Sequence, residues 1–466
     1  MKSAYYLAVD IGASSGRHIL GHVEDGKIIL EEIHRFENGM KKVDGHLVWD
    51  TESLFEEILK GMEKAGQMGK VPKSVGIDTW AVDYVLLDEN DKVLGKTYGY
   101  RDSRTEGVDS EVYKVIPEEK LYARTGIQKQ LFNTIYQLYA LKLQEGEVLS
   151  KAKAMLMLPD YFHFLLTGIK CQEYTNATST QLLNPVTKDW DFELIDMLGL
   201  PKEIFLKPEK PGKTLGSLKS EIEKRVGYSC DVVLPATHDT GSAVMAVPTK
   251  SDETLYISSG TWSLMGTELK EALISDKTRI ANLTNEGGYD YRFRFLKNIM
   301  GLWMIQSVRH ELEDKYSFAQ LCDMAEEEKA FPSRVDVNDN RFLAPDNMGE
   351  AIKAYCRDSK QQVPENVGQL STVIYQSLAE SYAQTVKELE DITGNSYAAI
   401  NIVGGGSNAD YLNRLTAEKS GKTVYAGPGE ATAIGNLMAQ MITDGVFGGL
   451  MEAREAVFNS FDIKTY

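Results

Sequence analysis

"AVDIGASSGRHIL", Ala8 to Leu20, lies near the head of the 466-residue chain, and its reading decides the fold. Gly12-Ala13-Ser14-Ser15-Gly16 fits two chemistries. As a G-x-S-x-G nucleophile elbow it needs a strand before it and a helix after it, with an acid and a histidine later in the chain. As a phosphate cradle it needs a turn whose backbone N–H groups face an anion, with glycines that permit close approach. The residues after Gly16 lack a helical pattern. His18 to Val23 runs into the turn Glu24-Asp25-Gly26, and Lys27-Ile28-Ile29-Leu30 resumes an apolar, β-branched run, which predicts strand, turn, strand. Asp10, just before the turn, would repel a bare phosphate but suits a Mg²⁺ riding on one. An ordinary Gly/Ser hairpin with a surface Asp fits this stretch equally well.

The device recurs. Thr254 to Gly266, "TLYISSGTWSLMG", is a second apolar strand, small-residue turn and apolar strand, about half a chain further on. Self-similarity at that distance points to two related α/β domains, 1–246 and 247–466, each opening with one hairpin. Chance resemblance between two Gly/Ser hairpins is the alternative. No low-complexity linker separates the halves, so a hinge rather than a tether is expected between them.

Composition bounds the partners. Apolar residues make up 42% and charged residues 26%, the balance of a soluble globular protein. A formal net charge of −17 argues against nucleic acid or an anionic membrane as partner. An anionic ligand must then be held locally, by backbone N–H groups, a metal and a few placed cations. The four cysteines, Cys171, Cys230, Cys322 and Cys356, form no C-x-x-C pair, so neither a zinc site nor a disulfide framework is expected. Asp10 interrupts any signal-peptide core and no run of about 18 apolar residues occurs. A cytoplasmic, non-membrane protein is the expectation.

Periodicity supplies further elements. Asp50 is positioned to cap a helix through Ser53–Lys60, with Leu54, Ile58 and Met62 at helical spacing. Val75 to Leu87 reads as a strand, Tyr136 to Leu166 as mainly helical, and Val373 to Ile392 as a long amphipathic helix. Ala398–Val403 reads as a buried strand, followed by a glycine turn and helix, then the short strand Val424–Ala426 and a helix from Glu430 to Met441. Lys297, Asn298 and Gln306 are expected at the start of a further helix.

Absent and ambiguous motifs narrow the chemistry. Gly95-Lys96-Thr97, Gly212-Lys213-Thr214 and Gly421-Lys422-Thr423 all lack the glycine that a P-loop needs. Gly404-Gly405-Gly406-Ser407-Asn408-Ala409 matches G-x-G-x-x-A between a strand and a helix, yet too little chain remains beyond it to build a dinucleotide fold. The glycines could instead let an adenosine and its α-phosphate lie against backbone at a helix N-terminus, or merely end a strand. Thr237-His238-Asp239-Thr240-Gly241 comes after an apolar run. Asp239 could accept a hydroxyl proton there, or cap the helix that Ser242-Ala243-Val244-Met245 begins. His238 could equally be a satisfied buried residue.

Taken in order, "AVDIGASSGR", "EIHRFENG", "WDTESL", "GIDTWAVDYVLLD", "YRDSRT", "MLPDYFHFLLTG", "EYTNATSTQL", "THDTGSAV", "YISSGTWSLMG", "NLTNEGG", "LKNIMGLW", "IVGGGSN" and "GPGEATAIGN" resemble the FGGY family of carbohydrate kinases over nearly the whole chain. Within that family they are similar to the members that act on L-rhamnulose. The resemblance implies an α/β fold of two actin-like (ribonuclease H-like) ATPase domains with a cleft between them. It also implies transfer of a phosphoryl group from ATP, with Mg²⁺, to the C1 hydroxyl of L-rhamnulose, in L-rhamnose catabolism. By the same resemblance, Ala13, Ser14, Ser15, Gly16 and Arg17 hold ATP phosphates and Asp10 sits near Mg²⁺. Thr261 lies in the second phosphate hairpin, and Gln306 with Gly404, Gly405 and Gly406 contacts the nucleotide. Asp239 is the general base, and His238, Thr240, Asn298 and the backbone at Ala81 contact the ketose. Ala81 stands where the family usually has Gly, which costs something if that backbone needs φ > 0. Alternatives of different kinds are an L-fuculokinase or xylulokinase, a non-catalytic actin-type ATPase switch, and a hydrolase using Ser14.

Overall fold

The computed structural model describes residues 4–251, 253–343 and 345–466. Two compact units form. The first is built from Met1–Ala246 together with Leu269–Phe295 and Thr432–Ser460; the second from Val247–Glu268, Leu296–Ala431 and Phe461–Tyr466.

The first unit is organised around the opening hairpin. Tyr5–Ile11 pairs antiparallel with Ser15–Glu24, which pairs antiparallel with Lys27–Glu37. Tyr5–Ile11 also pairs parallel with Pro72–Thr79. The sheet has the spatial order Thr214–Ser217, Asp231–Val233, Pro72–Thr79, Tyr5–Ile11, Ser15–Glu24, Lys27–Glu37. Its central strand is buried from Tyr6 to Ile11, so it carries a continuous apolar run with Asp10 as the one charged residue. A strand and not a helix comes after the Gly12–Gly16 turn, which removes the nucleophile elbow.

Helix Thr51–Gln67 covers one face. Asp50 caps it by accepting from Ser53 N, and Leu54, Ile58 and Met62 are buried; burial of each such side chain contributes about 1.5–3 kcal/mol. A Cβ at Gly61 would come 2.2 Å from His18 Cδ2, so glycine sets how closely this helix approaches the sheet. Helix Ala431–Thr443 brings amides to the sheet. Asn436 Nδ2 donates to Gly76 O at 3.0 Å and Gln440 Nε2 to Leu7 O at 2.9 Å. These bonds satisfy the amides where they are buried.

Two expectations are corrected and one is refined. Val75–Leu87 is two strands: Pro72–Thr79 stays in the main sheet, while Tyr84–Leu87 pairs with Ala154–Met157 in another. The chain turns between them because Val82 adopts φ 69°, a conformation a β-branched residue rarely takes. Second, the run from Tyr136 to Leu166 is mainly helical as expected, with the one strand Ala154–Met157 set between Gly146–Lys151 and Leu158–Thr167. Third, Lys297 and Asn298 lie on the strand Phe293–Met300; the helix containing Gln306 starts at Trp303.

In the second unit, strands run in the order Trp262–Leu269, Leu255–Ser259, Ala399–Val403, Thr423–Ala426, Lys464–Thr465. Leu255–Ser259 pairs antiparallel with Trp262–Leu269 and parallel with Ala399–Val403. This repeats the arrangement of Tyr5–Ile11 between Ser15–Glu24 and Pro72–Thr79. The long helix Val367–Thr393 ends at Gly394 in the left-handed conformation. Among the described residues no helix is long and apolar enough to cross a membrane.

Candidate active site

Register brings carboxylates together at one end of the first unit's sheet. Asp10 stands opposite Arg17 on one side and Asp78 on the other. Arg17 Nε donates to Asp10 Oδ2 at 2.9 Å. Asp78 is fully buried; its Oδ2 accepts from Asn436 Nδ2 at 2.6 Å and its Oδ1 has no partner. Burial, and then the charge of Asp10, push this carboxyl well above the usual range. One residue further along the same strand, Thr79 N donates to Thr237 O at 2.9 Å and Thr79 bridges His238. That contact sets Asp239 beside the end of the strand.

Asp239 is the first residue of the helix Asp239–Met245, whose cap position is His238. Its Oδ1 accepts from Thr240 N at 2.6 Å and Thr240 Oγ1 at 3.2 Å, which leaves Oδ2 for another partner. The side chain keeps 31% of its surface open, so protein surrounds the carboxyl without closing it off. Burial, followed by the charge of Asp10, raises its pKa to about 7, suited to a base working near neutrality.

The approach of Thr237 and His238 is fixed by a residue to which the sequence assigns no role, the first of the segment "EYTNATSTQL". Glu173 is fully buried, and its Oε2 accepts from Thr237 N at 3.1 Å, Thr237 Oγ1 at 2.7 Å and Thr175 Oγ1 at 2.5 Å. It also caps the helix Tyr174–Thr178. On the other side, Arg294 Nη2 lies 2.9 Å from His238 Nδ1 and 3.1 Å from Glu286 Oε2. Neither Glu286 nor Arg294 belongs to a short motif around Asp239; Glu286 lies in the segment "NLTNEGG", and the signal for Arg294 is a charged residue inside the otherwise apolar run "FRFL".

The loop Trp80–Asp83 is anchored at both ends. Asp83 Oδ2 accepts from Trp49 Nε1 at 2.6 Å, Trp80 Nε1 at 2.9 Å and Tyr100 N at 3.1 Å, and Oδ1 accepts from Gln137 Nε2 at 2.9 Å. Burial lifts Asp83 to about 6, opposed by these donors. Val82 O accepts from Thr134 Oγ1 at 2.7 Å, which holds the left-handed Val82 against a strain of about 1–3 kcal/mol. Ala81 is half-buried and not left-handed. The missing glycine therefore carries no φ penalty at Ala81; the backbone reversal is taken by its neighbour.

Two turns present backbone donors. In the first unit, Gly12 N donates to Ser15 O and Asn38 N to Ser14 O, closing the turn. Among the described residues the N–H groups of Ala13 and Ser14 find no carbonyl, and Ser14 is exposed at the tip. Such a turn suits an anion. In the second unit, Gly260 N donates to Trp262 O at 2.8 Å, while Leu302 N and Trp303 N donate to Gly260 O and Thr261 O at 3.0 and 3.1 Å. The turn bearing Thr261 thus sits on the start of the helix bearing Gln306. Gly404–Gly406 closes the same corner: a Cβ at Gly406 would lie 1.9 Å from Ser259 Oγ, one at Gly404 2.9 Å from Ser259 O, and one at Gly405 in open space. The structure therefore gathers Thr261, Gln306 and Gly404, Gly405 and Gly406. Asn298 is half-buried on its strand and stands apart from the helix start predicted for it.

The donor set bears on a metal. No group of three or more His, Cys, Asp or Glu among the described residues is arranged to hold one. Carboxylate oxygens such as those of Asp10 suit Mg²⁺, which keeps several waters and takes one or two carboxylates with substrate phosphates. The residues fit a metal that arrives with a phosphate, not a resident protein cage.

Comparisons with known proteins identify the family and the fold. The model of the FGGY family of carbohydrate kinases, N-terminal domain, matches residues 5–246, and that of the C-terminal domain residues 255–443. A rhamnulokinase of Halalkalibacterium halodurans is 53% identical over 99% of this chain and 98% of its own. The Bacillus subtilis rhamnulokinase is 45% identical over 99% and 95%. Among solved structures, the ligand-bound xylulose kinase from Lactobacillus acidophilus superposes with a TM-score of 0.79 at 17% identity, covering 99% of this chain and 93% of that one. Plasmodium falciparum glycerol kinase with ADP gives 0.78 at 13% identity, covering 99% and 94%; both likenesses concern the fold. With both family domains matched in order across two α/β units, the chain belongs to the FGGY family of carbohydrate kinases.

Proposed function

We propose that this chain transfers the γ-phosphoryl group of MgATP to the C1 hydroxyl of L-rhamnulose, giving L-rhamnulose 1-phosphate and ADP in L-rhamnose catabolism. One observation carries the chemistry: a carboxyl at the start of a helix, raised to about 7, with one oxygen held by Thr240 and the other open. The substrate assignment is supported by 43–53% identity to rhamnulokinases over nearly full length.

In the proposed reaction Asp239 Oδ2 accepts the C1 hydroxyl proton as the sugar oxygen bonds to the γ-phosphorus and the bond to the β-phosphate oxygen breaks. Phosphoryl transfer needs little covalent help, so positioning and charge neutralisation dominate. Ala13, Ser14, Ser15, Gly16 and Arg17 hold phosphates in this reading, as does Thr261; Gln306 and Gly404 to Gly406 hold the nucleoside end. Asp10 is the residue for Mg²⁺, which supplies charge neutralisation on the phosphates when bound. His238, Thr240, Asn298 and the backbone at Ala81 orient the ketose. The domain limits 1–246 and 247–466 and a cytoplasmic setting belong to the same reading.

Coupled ADP release with a panel of ketoses tests it. The highest kcat/KM is expected for L-rhamnulose, with little ATP turnover without sugar. Equal or better use of L-fuculose or D-xylulose would move the assignment to another ketose kinase, and sugar-independent turnover alone would leave only a nucleotide-driven switch.

A further inference from the structure

We propose that Arg294 and Glu286 are positioning residues that hold His238 as a neutral imidazole with its proton on Nε2, so that the proton released by the sugar hydroxyl goes to Asp239 alone. The inference rests on the reading of Asp239 as the base.

Two groups face His238 Nδ1, the Arg294 guanidinium at 2.9 Å and Glu286 Oε2 at 3.4 Å, and the nearer of them can only donate. Arg294 is wholly buried; its Nε donates to Gly287 O at 2.8 Å, and its Nη2 lies 2.9 Å from His238 Nδ1 and 3.1 Å from Glu286 Oε2. A guanidinium has five N–H donors and no acceptor, so His238 Nδ1 is the acceptor in that contact. The proton of a neutral ring is then on Nε2, which lies 3.4 Å from Asp239 Oδ1. A second ring proton would set Nδ1–H against the guanidinium, and burial with that positive charge holds the imidazolium well below its ordinary range. Without this arrangement an imidazole beside Asp239 would compete for the hydroxyl proton; with it, the ring acts only as a hydrogen-bond donor.

Stability alone is a weak reason for the pair. Desolvating two charges offsets most of their attraction, so a buried ion pair contributes little over an apolar pair of similar size. What the pair fixes is which ring nitrogen carries hydrogen, and through it the group facing Asp239 and the ketose. The other charged or titratable groups around this point include Asp10 and Asp78 at the strand ends, Tyr100, Tyr174 beside Arg294, and Glu173 behind Thr237.

Histidine-selective ¹⁵N NMR of the ligand-free protein between pH 5 and 8 reads the ring directly. The expected result is a bare Nδ1 and a protonated Nε2 for His238 across that range; a protonated Nδ1 would overturn the proposal without any variant. Arg294→Met leaves Glu286 buried alone, so the double variant Glu286→Gln/Arg294→Met is measured beside it. In whichever folds, His238 should titrate or change tautomer within that range. KM for L-rhamnulose should rise roughly 10- to 100-fold, the loss of one hydrogen bond to a charged group, with KM for ATP unchanged and a second ionisation in the kcat/KM profile. Arg294→Lys should restore the parent tautomer. Folded variants with an unchanged ring and pH profile would make the pair merely structural. If Asp239→Asn kept full kcat, the base reading would fail by itself, a result separable from the ring assignment.

Discussion

The two units bury opposite chemistry. Every buried Asp, Glu, Arg and His among the described residues lies in the first unit, including Asp10, Asp78, Asp83, Glu173, His238, Glu286 and Arg294; the buried polar residues of the second are Ser, Thr, Asn and Gln. Burying ionisable groups is costly unless each is paired or hydrogen-bonded, and the first unit does pair most of them, with Asp83 taking four donors. The result is a site with shifted protonation states, suited to moving a proton. The second unit's device is backbone: turns at Gly260–Thr261 and Gly404–Gly406 packed on one helix start. Backbone donors meet an anion with no change of protonation.

Substitutions can break this contrast in order of expected size. Asp239→Asn keeps shape, and kcat should fall roughly 10²- to 10⁴-fold, the usual contribution of a general base, with ATP binding retained by equilibrium titration. Its stability has a signature too. The folded carboxyl is raised from 3.8 to about 7, so the parent's contribution is fully present below pH 3.8 and lost as pH rises through 7. Asn does not ionise, so Asp239→Asn should gain thermal stability relative to the parent between pH 5 and 8; a difference constant with pH would remove the assigned shift.

Next comes Gly406→Ala. Its Cβ would collide with Ser259, and overpacking of this kind costs about 1–3 kcal/mol, read as a lower denaturation midpoint. Gly405→Ala adds its methyl in open space, so stability should hold while KM for ATP rises. If both variants behave alike, the corner is structural only. Asp83→Asn turns an amide toward the donors of Trp49 and Trp80 and should cost about 1–3 kcal/mol, seen in urea unfolding, with ketose KM affected more than ATP KM. The smallest effect is expected from Ser14→Ala. One exposed hydroxyl contributes about 0.5–1.5 kcal/mol, so KM for ATP should rise several-fold and kcat should stay near parent. Abolished turnover there would revive a nucleophilic serine.

Legibility tracks the range of the interactions involved. Both hairpins and the helix Thr51–Gln67 are readable because alternation, turn residues and the Asp50 cap are local signals. The break at Val82 is not, since nothing in "TWAVDY" announces a left-handed valine; Thr134, Ser179 and Gln137 hold it from far along the chain. The strand Ala154–Met157 is hidden because "AMLM" is buried on both faces and carries no alternation. In the site, Asp10, His238 and Asp239 lie in motifs a reader can quote. Glu173 and Arg294 act on Thr237 and His238 across gaps of 64 and 56 residues, and no single-sequence pattern links such positions.

The central claim is that the raised carboxyl of Asp239 takes the sugar's proton, and the pH dependence of kcat/KM for L-rhamnulose tests it most directly. In the parent, kcat/KM should climb about tenfold per pH unit below about 7 and level off above it, because only the ionised carboxylate accepts a proton. In Asp239→Asn the residual activity should lack that limb. A parent profile flat from pH 5 to 8, or the same limb persisting in Asp239→Asn, would contradict the account.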